Sequence, residues 1–138
     1  MSSTIKIGFT GSRNGLNLEQ IDQIKLILNT YDDIIVSHGD CIGADTEFHN
    51  LCVEYRELNP EKKLLIHIYP PNIRTMRAFN QADLLMSEEP YLKRNLNIIK
   101  NSSVLIACPT DKHTEVLRSG TWSTIRQAKK HGLQIYIL

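Results

Sequence analysis

Chemistry in this chain would come from three glycine-bearing turns, each placed after a short apolar run that reads as a strand. Gly11-Ser12-Arg13 follows Ile5–Phe9, and the stretch from Gly39 to Asp45 (Gly-Asp-Cys-Ile-Gly-Ala-Asp) follows Ile34–Val36. Ser119-Gly120-Thr121-Trp122 comes a loop after Val104–Ala107. A strand that ends in small residues and then opens a helix leaves backbone N–H groups free at the helix start. Those donors, with the positive end of the helix dipole, favour an anion. Three such turns at the carboxyl ends of strands predict one crevice built for phosphate.

Each residue carries a chemical reading and a plainer one. Gly11, Ser12 and Arg13 offer an amide, a hydroxyl and a guanidinium fork suited to phosphate oxygens; the alternative is a tight turn with a solvated arginine. Gly39 and Gly43 permit positive φ or close backbone approach. Asp45 either complements the dipole of the helix it opens, or accepts a bond from a ribose hydroxyl or orients a neighbouring loop. His49, four residues on along the same helix face, is a packed or solvated histidine before it is a catalyst. Ser119, Gly120 and Thr121 open the last helix, where they either bind an anion or simply cap. Trp122 can stack on a base or pack. Asp111, Lys112, His113 and Glu115 sit in a polar segment that is either a lid or a solvated loop. The acidic neighbours Asp40 and Asp45 would raise the Cys41 thiol, so it is not marked as a nucleophile. No cluster has metal-ligand spacing, and no metal or cofactor is expected.

The elements that must position these turns follow from periodicity. Strands are predicted at Ile5–Phe9, Ile34–Ser37, Leu64–Tyr69, Val104–Ala107 and Gln134–Leu138. Helical spacing runs over Leu18–Asn29, with Asn17 as N-cap, and over Ala44–Leu58, Tyr91–Lys100 and Thr121–His131, the last closed by Gly132. The stretch 72–90 is the least readable; a short helix around Met76–Met86 is the expectation there. Ile-Ile-Val at 34–36 has no polar break, as in a strand buried on both faces of a parallel sheet. The alternation predicts a Rossmann-like three-layer α/β/α sandwich with a mostly parallel sheet. Right-handed crossovers would set the turns along one edge.

At 138 residues the chain fits a single domain over 1–138. Net charge is +1, so nucleic-acid binding would need a local patch; Lys62-Lys63 and Lys129-Lys130-His131 are small clusters that read first as solvated charge. Cys41, Cys52 and Cys108 are odd in number and widely spaced, which fits a reducing, cytoplasmic setting rather than a disulfide framework. Neither a secretory signal nor a membrane span is expected.

Gly11-Ser12-Arg13, then Ser37-His38-Gly39-Asp40-Cys41-Ile42-Gly43-Ala44-Asp45 with His49, then Arg94-Asn95, then Ser119-Gly120-Thr121, in that order, resemble the SLOG superfamily. That group of Rossmann-like domains includes the DNA-processing protein A and the "lonely guy" nucleoside-monophosphate phosphoribohydrolases; the pattern is most similar to the small stand-alone branch related to YspA and YpsA. The resemblance covers nearly the whole chain and is weakest over 72–90. It implies a nucleotide or nucleotide-derived ligand at the strand ends, with Arg94 and Asn95 reaching its phosphate or ribose, and it implies a homo-oligomer. Two departures bear on catalysis. Arg118-Ser119 replaces the glycine pair of the phosphoribohydrolases, and Thr124 stands where those enzymes carry a catalytic glutamate.

The leading expectation is therefore a nucleotide-binding domain whose partner is a small molecule, with ligand contacts at Gly11, Ser12, Arg13, Gly39, Gly43, Asp45, Arg94, Asn95, Ser119, Gly120 and Thr121. An N-glycosidic hydrolase is the alternative, with Asp45 or Glu115 stabilising charge on the ribose and Arg94 holding phosphate. Single-stranded nucleic-acid binding is the third reading and is not expected, because flanking domains and an aromatic platform are missing from the sequence.

Overall fold

The computed structural model describes residues 4–138; Met1 to Ser3 lie outside the described residues. Six parallel strands form one sheet: β1 (Ile5–Gly11), β2 (Asp33–His38), β3 (Lys63–Ile68), β4 (Leu84–Leu85), β5 (Val104–Cys108) and β6 (Gln134–Ile137). Four helices join them: α1 (Leu18–Thr30), α2 (Ala44–Leu58), α3 (Tyr91–Lys100) and α4 (Gly120–Lys130). The strand order is β4-β3-β2-β1-β5-β6, so the direction of winding reverses between β1 and β5. In open α/β sheets a reversal of this kind opens a ligand crevice outside the carboxyl ends of the two strands.

The pleat sorts side chains into two cores. Ile7, Phe9, Ile34, Val36, Ile66 and Ile106 turn to the face covered by α1 and α2, where Phe9 stacks on Phe48 with ring centroids 4.2 Å apart. Leu105 and Ala107 turn the other way and pack with Ile99 of α3 and Trp122, Ile125 and Ala128 of α4. Trp122 is thus a packing residue, buried to 6% exposure. The start of α1 carries the expected Asn17 cap as a full capping box: the Asn17 carboxamide accepts from the Gln20 N–H, and the Gln20 carboxamide accepts from the Asn17 N–H.

The expected helix over Met76–Met86 does not form. A single 3₁₀ turn, Arg74–Met76, leads into extended chain and the two-residue edge strand β4. The reason lies outside the segment. Its polar groups are claimed by distant residues rather than by their own i→i−4 neighbours: Ala78 N–H donates to the Asp40 carbonyl, Asn80 N–H to the Asp40 carboxylate, and Met86 N–H to the Ile68 carbonyl.

Candidate functional site

β1 and β5 end side by side, Gly11 paired with Cys108, and Ser12 N–H continues the ladder to the Cys108 carbonyl. Beyond them opens a cleft of about 690 Å³. Its walls combine the turn after β1 (Gly11, Ser12, Arg13), the start of α4 (Ser119, Gly120, Thr121) and the side chains of Arg118 and Arg126. Met76, Tyr91, Leu92 and Leu117 supply apolar surface. The turn after β2 lines a smaller adjoining recess with Gly39, Cys41, Ile42, Ala44 and Asp45, together with Arg94 and Asn95. Gly11, Arg13, Met76 and Tyr91 border both spaces. The three glycine-bearing turns therefore meet at one place.

At the start of α4 the Ser119 hydroxyl caps the helix by accepting from Trp122 N–H at 3.3 Å. Gly120 and Thr121 N–H donate to no acceptor among the described residues, as expected of a first turn. A Cβ at position 120 would collide with the Tyr91 hydroxyl, so glycine lets α3 and α4 close against each other at the cleft floor. Ser12 organises its own turn: its hydroxyl accepts from Asn14 N–H and from the Thr110 hydroxyl, each at 3.0 Å. Gly43 takes φ +105° at the cap of α2, and a Cβ there would lie 2.5 Å from the Arg13 carbonyl oxygen. Ala44 N–H donates to the Ser12 carbonyl, so the turn after β2 braces the turn after β1.

Arg94 is placed differently from the role implied for it. Its side chain enters the protein, where the guanidinium donates to the Gly39 carbonyl at 2.6 Å, the Tyr69 carbonyl at 3.3 Å and the Asn95 carboxamide at 2.7 Å. It is 3% exposed. Its geometry is that of a strut under the turn after β2, with its remaining nitrogen 3.6 Å from the Cys41 sulfur. Asp45 serves the same turn: its carboxylate accepts from Cys41 N–H at 3.0 Å, and burial pushes the carboxyl up to about 6 against the opposing pull of Arg94. Burial and the Asp45 carboxylate hold the Cys41 thiol above its ordinary value. Glu115 lies on the loop 109–119 and pairs with Arg126 at 2.7 Å.

Besides Arg118 and Arg126, further residues outside the expected ligand contacts shape the region, among them Asp40, Arg77, Asn80 and Tyr91. Asp40 is fully buried, with φ +58°, and its carboxylate accepts from Arg77 Nε at 3.1 Å and from Asn80 N and Nδ2 at 3.0 Å. Behind it, Asp40 N–H donates to His38 Nδ1 at 2.9 Å, and His38 Nε2 lies 2.9 Å from His49 Nδ1. Because His38 Nδ1 is an acceptor, the proton of the neutral ring is on Nε2 and is donated to His49. Burial, reinforced by His49 and Arg94, drives His38 down to about 3, and burial also lowers His49. His49 is thus a packed, neutral partner. The signal for Asp40 was its place inside the second glycine turn; nothing local marked Arg77, Asn80 or Tyr91.

Among the described residues, no group of His, Cys, Asp and Glu is disposed to hold a metal ion, and no helix is long and apolar enough to cross a membrane. No family model and no curated protein matches the sequence. Among solved structures, the chain is similar to DNA processing protein A (DprA) from Streptococcus pneumoniae, with a TM-score of 0.63 and 19% identity over 97% of this chain. It spans 50% of that protein. The likeness shows the Rossmann-like α/β fold.

Proposed function

We propose that this domain binds a nucleotide or a nucleotide-derived small molecule in the cleft between β1, β5 and the start of α4. The observation that carries the reading is the lining of that cleft: three arginines (Arg13, Arg118 and Arg126), a helix start with unclaimed amides, and no carboxylate. Such a wall attracts phosphate from two sides, by guanidinium forks and by oriented N–H groups. Met76, Tyr91, Leu92 and Leu117 give a base or ribose an apolar surface beside the anion. Arg94 and Asp45 contribute by holding the turn after β2 rather than by touching the ligand.

The same lining weighs against glycosidic cleavage. Stabilising positive charge on a ribose needs a carboxylate near the anomeric carbon. Asp45 is committed to a backbone amide of its own turn, and Glu115 to Arg126. Single-strand DNA binding is favoured by one observation, the similarity to a protein named for DNA processing. A net charge of +1 and arginines gathered in a cleft favour a small ligand instead.

Titration calorimetry with AMP, ADP, ATP, cyclic mononucleotides and ADP-ribose tests the reading, with inorganic phosphate as control. We expect binding below millimolar concentration for at least one, weakened about 10-fold or more by Arg13→Ala, the scale of a lost charge-assisted contact. Failure of every compound to bind removes the proposal. Release of free base during the same incubations would point to the hydrolase, and a salt-sensitive shift of labelled single-stranded DNA to the nucleic-acid reading.

A further inference from the structure

Residues 110–118 are exposed throughout and form no helix or strand. Thr110 ties the start of this loop to Ser12, and Ser119 begins α4 at its end. Between them, the hydrogen bonds of 111–118 stay within the loop (His113 N–H to the Asp111 carboxylate) or reach only its own end (Ser119 N–H to the Val116 carbonyl), with a single exception. Arg126, projecting from α4, donates one nitrogen to the Glu115 carboxylate at 2.7 Å and another to the Leu117 carbonyl at 2.9 Å. Among the described residues, apart from the Ser119 N–H bond at the loop's own end, one guanidinium therefore makes every polar bond that ties 111–118 to the body of the domain.

Arg126 also lines the cleft, whereas Glu115 does not. Arg13 and Arg118, the other cleft arginines, form no ion pair among the described residues. Of the cleft cations, the one with an acidic partner is the one that anchors the loop.

We infer that Glu115 is a built-in competitor for the ligand's anion: it latches the loop to Arg126, and an anion entering the cleft takes over that guanidinium and releases 111–118. The inference rests on the binding reading given above and adds its regulation. A carboxylate and a phosphate oxygen want the same fork of donors, so occupancy by one excludes the other. By linkage, the ligand frees the loop by the same factor by which the latch weakens the ligand. The pair is part-exposed, at 33% for Arg126 and 50% for Glu115. An exposed pair of this kind corresponds to a factor of about 2 to 5 in an equilibrium constant.

Hydrogen exchange of the 111–118 segment, read together with calorimetric affinity for ADP and inorganic phosphate, tests the latch. Glu115→Gln should bind either anion about 2- to 5-fold more tightly. It should also exchange faster in 111–118 without ligand. Glu57→Gln, on the exposed end of α2, removes the same charge elsewhere and should do neither. Arg126→Ala should speed exchange and weaken binding. In the wild-type chain, bound ADP should speed exchange in 111–118, opposite to the protection that simple burial by a ligand produces. If the anions bind and Glu115→Gln changes neither affinity nor exchange, or if bound ADP slows exchange in the wild type, the latch is wrong and the binding reading stands. If no anion binds any variant, the binding reading and ligand-driven release both fall.

Discussion

Two stretches without regular structure border the cleft, and they are held in opposite ways. The strap 72–90, which brings Met76 to the cleft wall, hangs on the buried Asp40 carboxylate. The loop 109–119, which brings Leu117 and Arg118 to the other wall, hangs on the part-exposed Arg126–Glu115 pair. In the strap, Arg77 is 8% exposed, Asp40 is fully buried, and the Arg77 guanidinium sits 4.4 Å from the Phe79 ring. Asp83 fastens its far end, its carboxylate accepting from Ile66 N–H and from Arg56. A charge pair out of water is costly to break, because either partner alone is left desolvated. A charge pair in water is cheap to break, because solvent and salt replace it. The same chemistry thus makes a fixed wall on one side of the cleft and a movable one on the other.

The largest expected effect breaks the fixed wall. Asp40→Ala leaves the Arg77 guanidinium with only a 3.9 Å contact to Glu88 and two Asn80 donors unpaired, which should cost about 3–5 kcal/mol in chemical denaturation. Met76 and Ala78 amides should then exchange far faster. A loss under about 1 kcal/mol would place the strap's support elsewhere.

Acid should weaken the same side. His38 stays neutral in the folded protein down to about 3, whereas the unfolded chain takes a proton below its ordinary 6.5. A base lowered by folding costs stability as pH falls through the window from 6.5 toward 3. Its ring resonances should therefore remain those of a neutral imidazole, protonated on Nε2, between about pH 8 and about pH 5. Titration of His38 within that range would mean that the relay behind Asp40 opens to water.

Smaller again is Asn80→Ala. It removes one side-chain bond to the Asp40 carboxylate and one to the Thr46 hydroxyl but spares the backbone bond, for a loss of about 1–2 kcal/mol. At the movable wall, Arg126→Ala should change global stability by less than about 1 kcal/mol. Equal stability losses at Asp40 and Arg126 would erase the distinction between the two walls.

The contrast also marks what could be read along the chain. α2 was legible to its boundary residues, Ala44 and Leu58, because an apolar stripe of helical period runs from Phe48 through Cys52 to Tyr55 and Asn59-Pro60 stops it. The cap of α1 was legible because Asn17 and Gln20 are three residues apart and meet within one turn. The strap was not. Asp40 lies 37 residues from Arg77 and 40 from Asn80, and no local pattern announces a partner at that distance. Arg94 was singled out as a residue, but its direction was not readable, since a guanidinium facing a phosphate and one facing the Gly39 carbonyl look alike in sequence.

By itself the sequence determined five of the six strands, the four α-helices and the small residues that let helix starts face an anion, because those depend on periodicity and on contacts within one turn. The tertiary structure decided the strand order that brings the turns after β1 and β5 together, and it decided which arginines face the cleft. Arg94 is consumed as a strut, whereas Arg13, Arg118 and Arg126 line the cleft. The reason is that a long cationic side chain takes whichever oxygen the packed elements bring within about 3 Å, and that choice exists only once the sheet has formed.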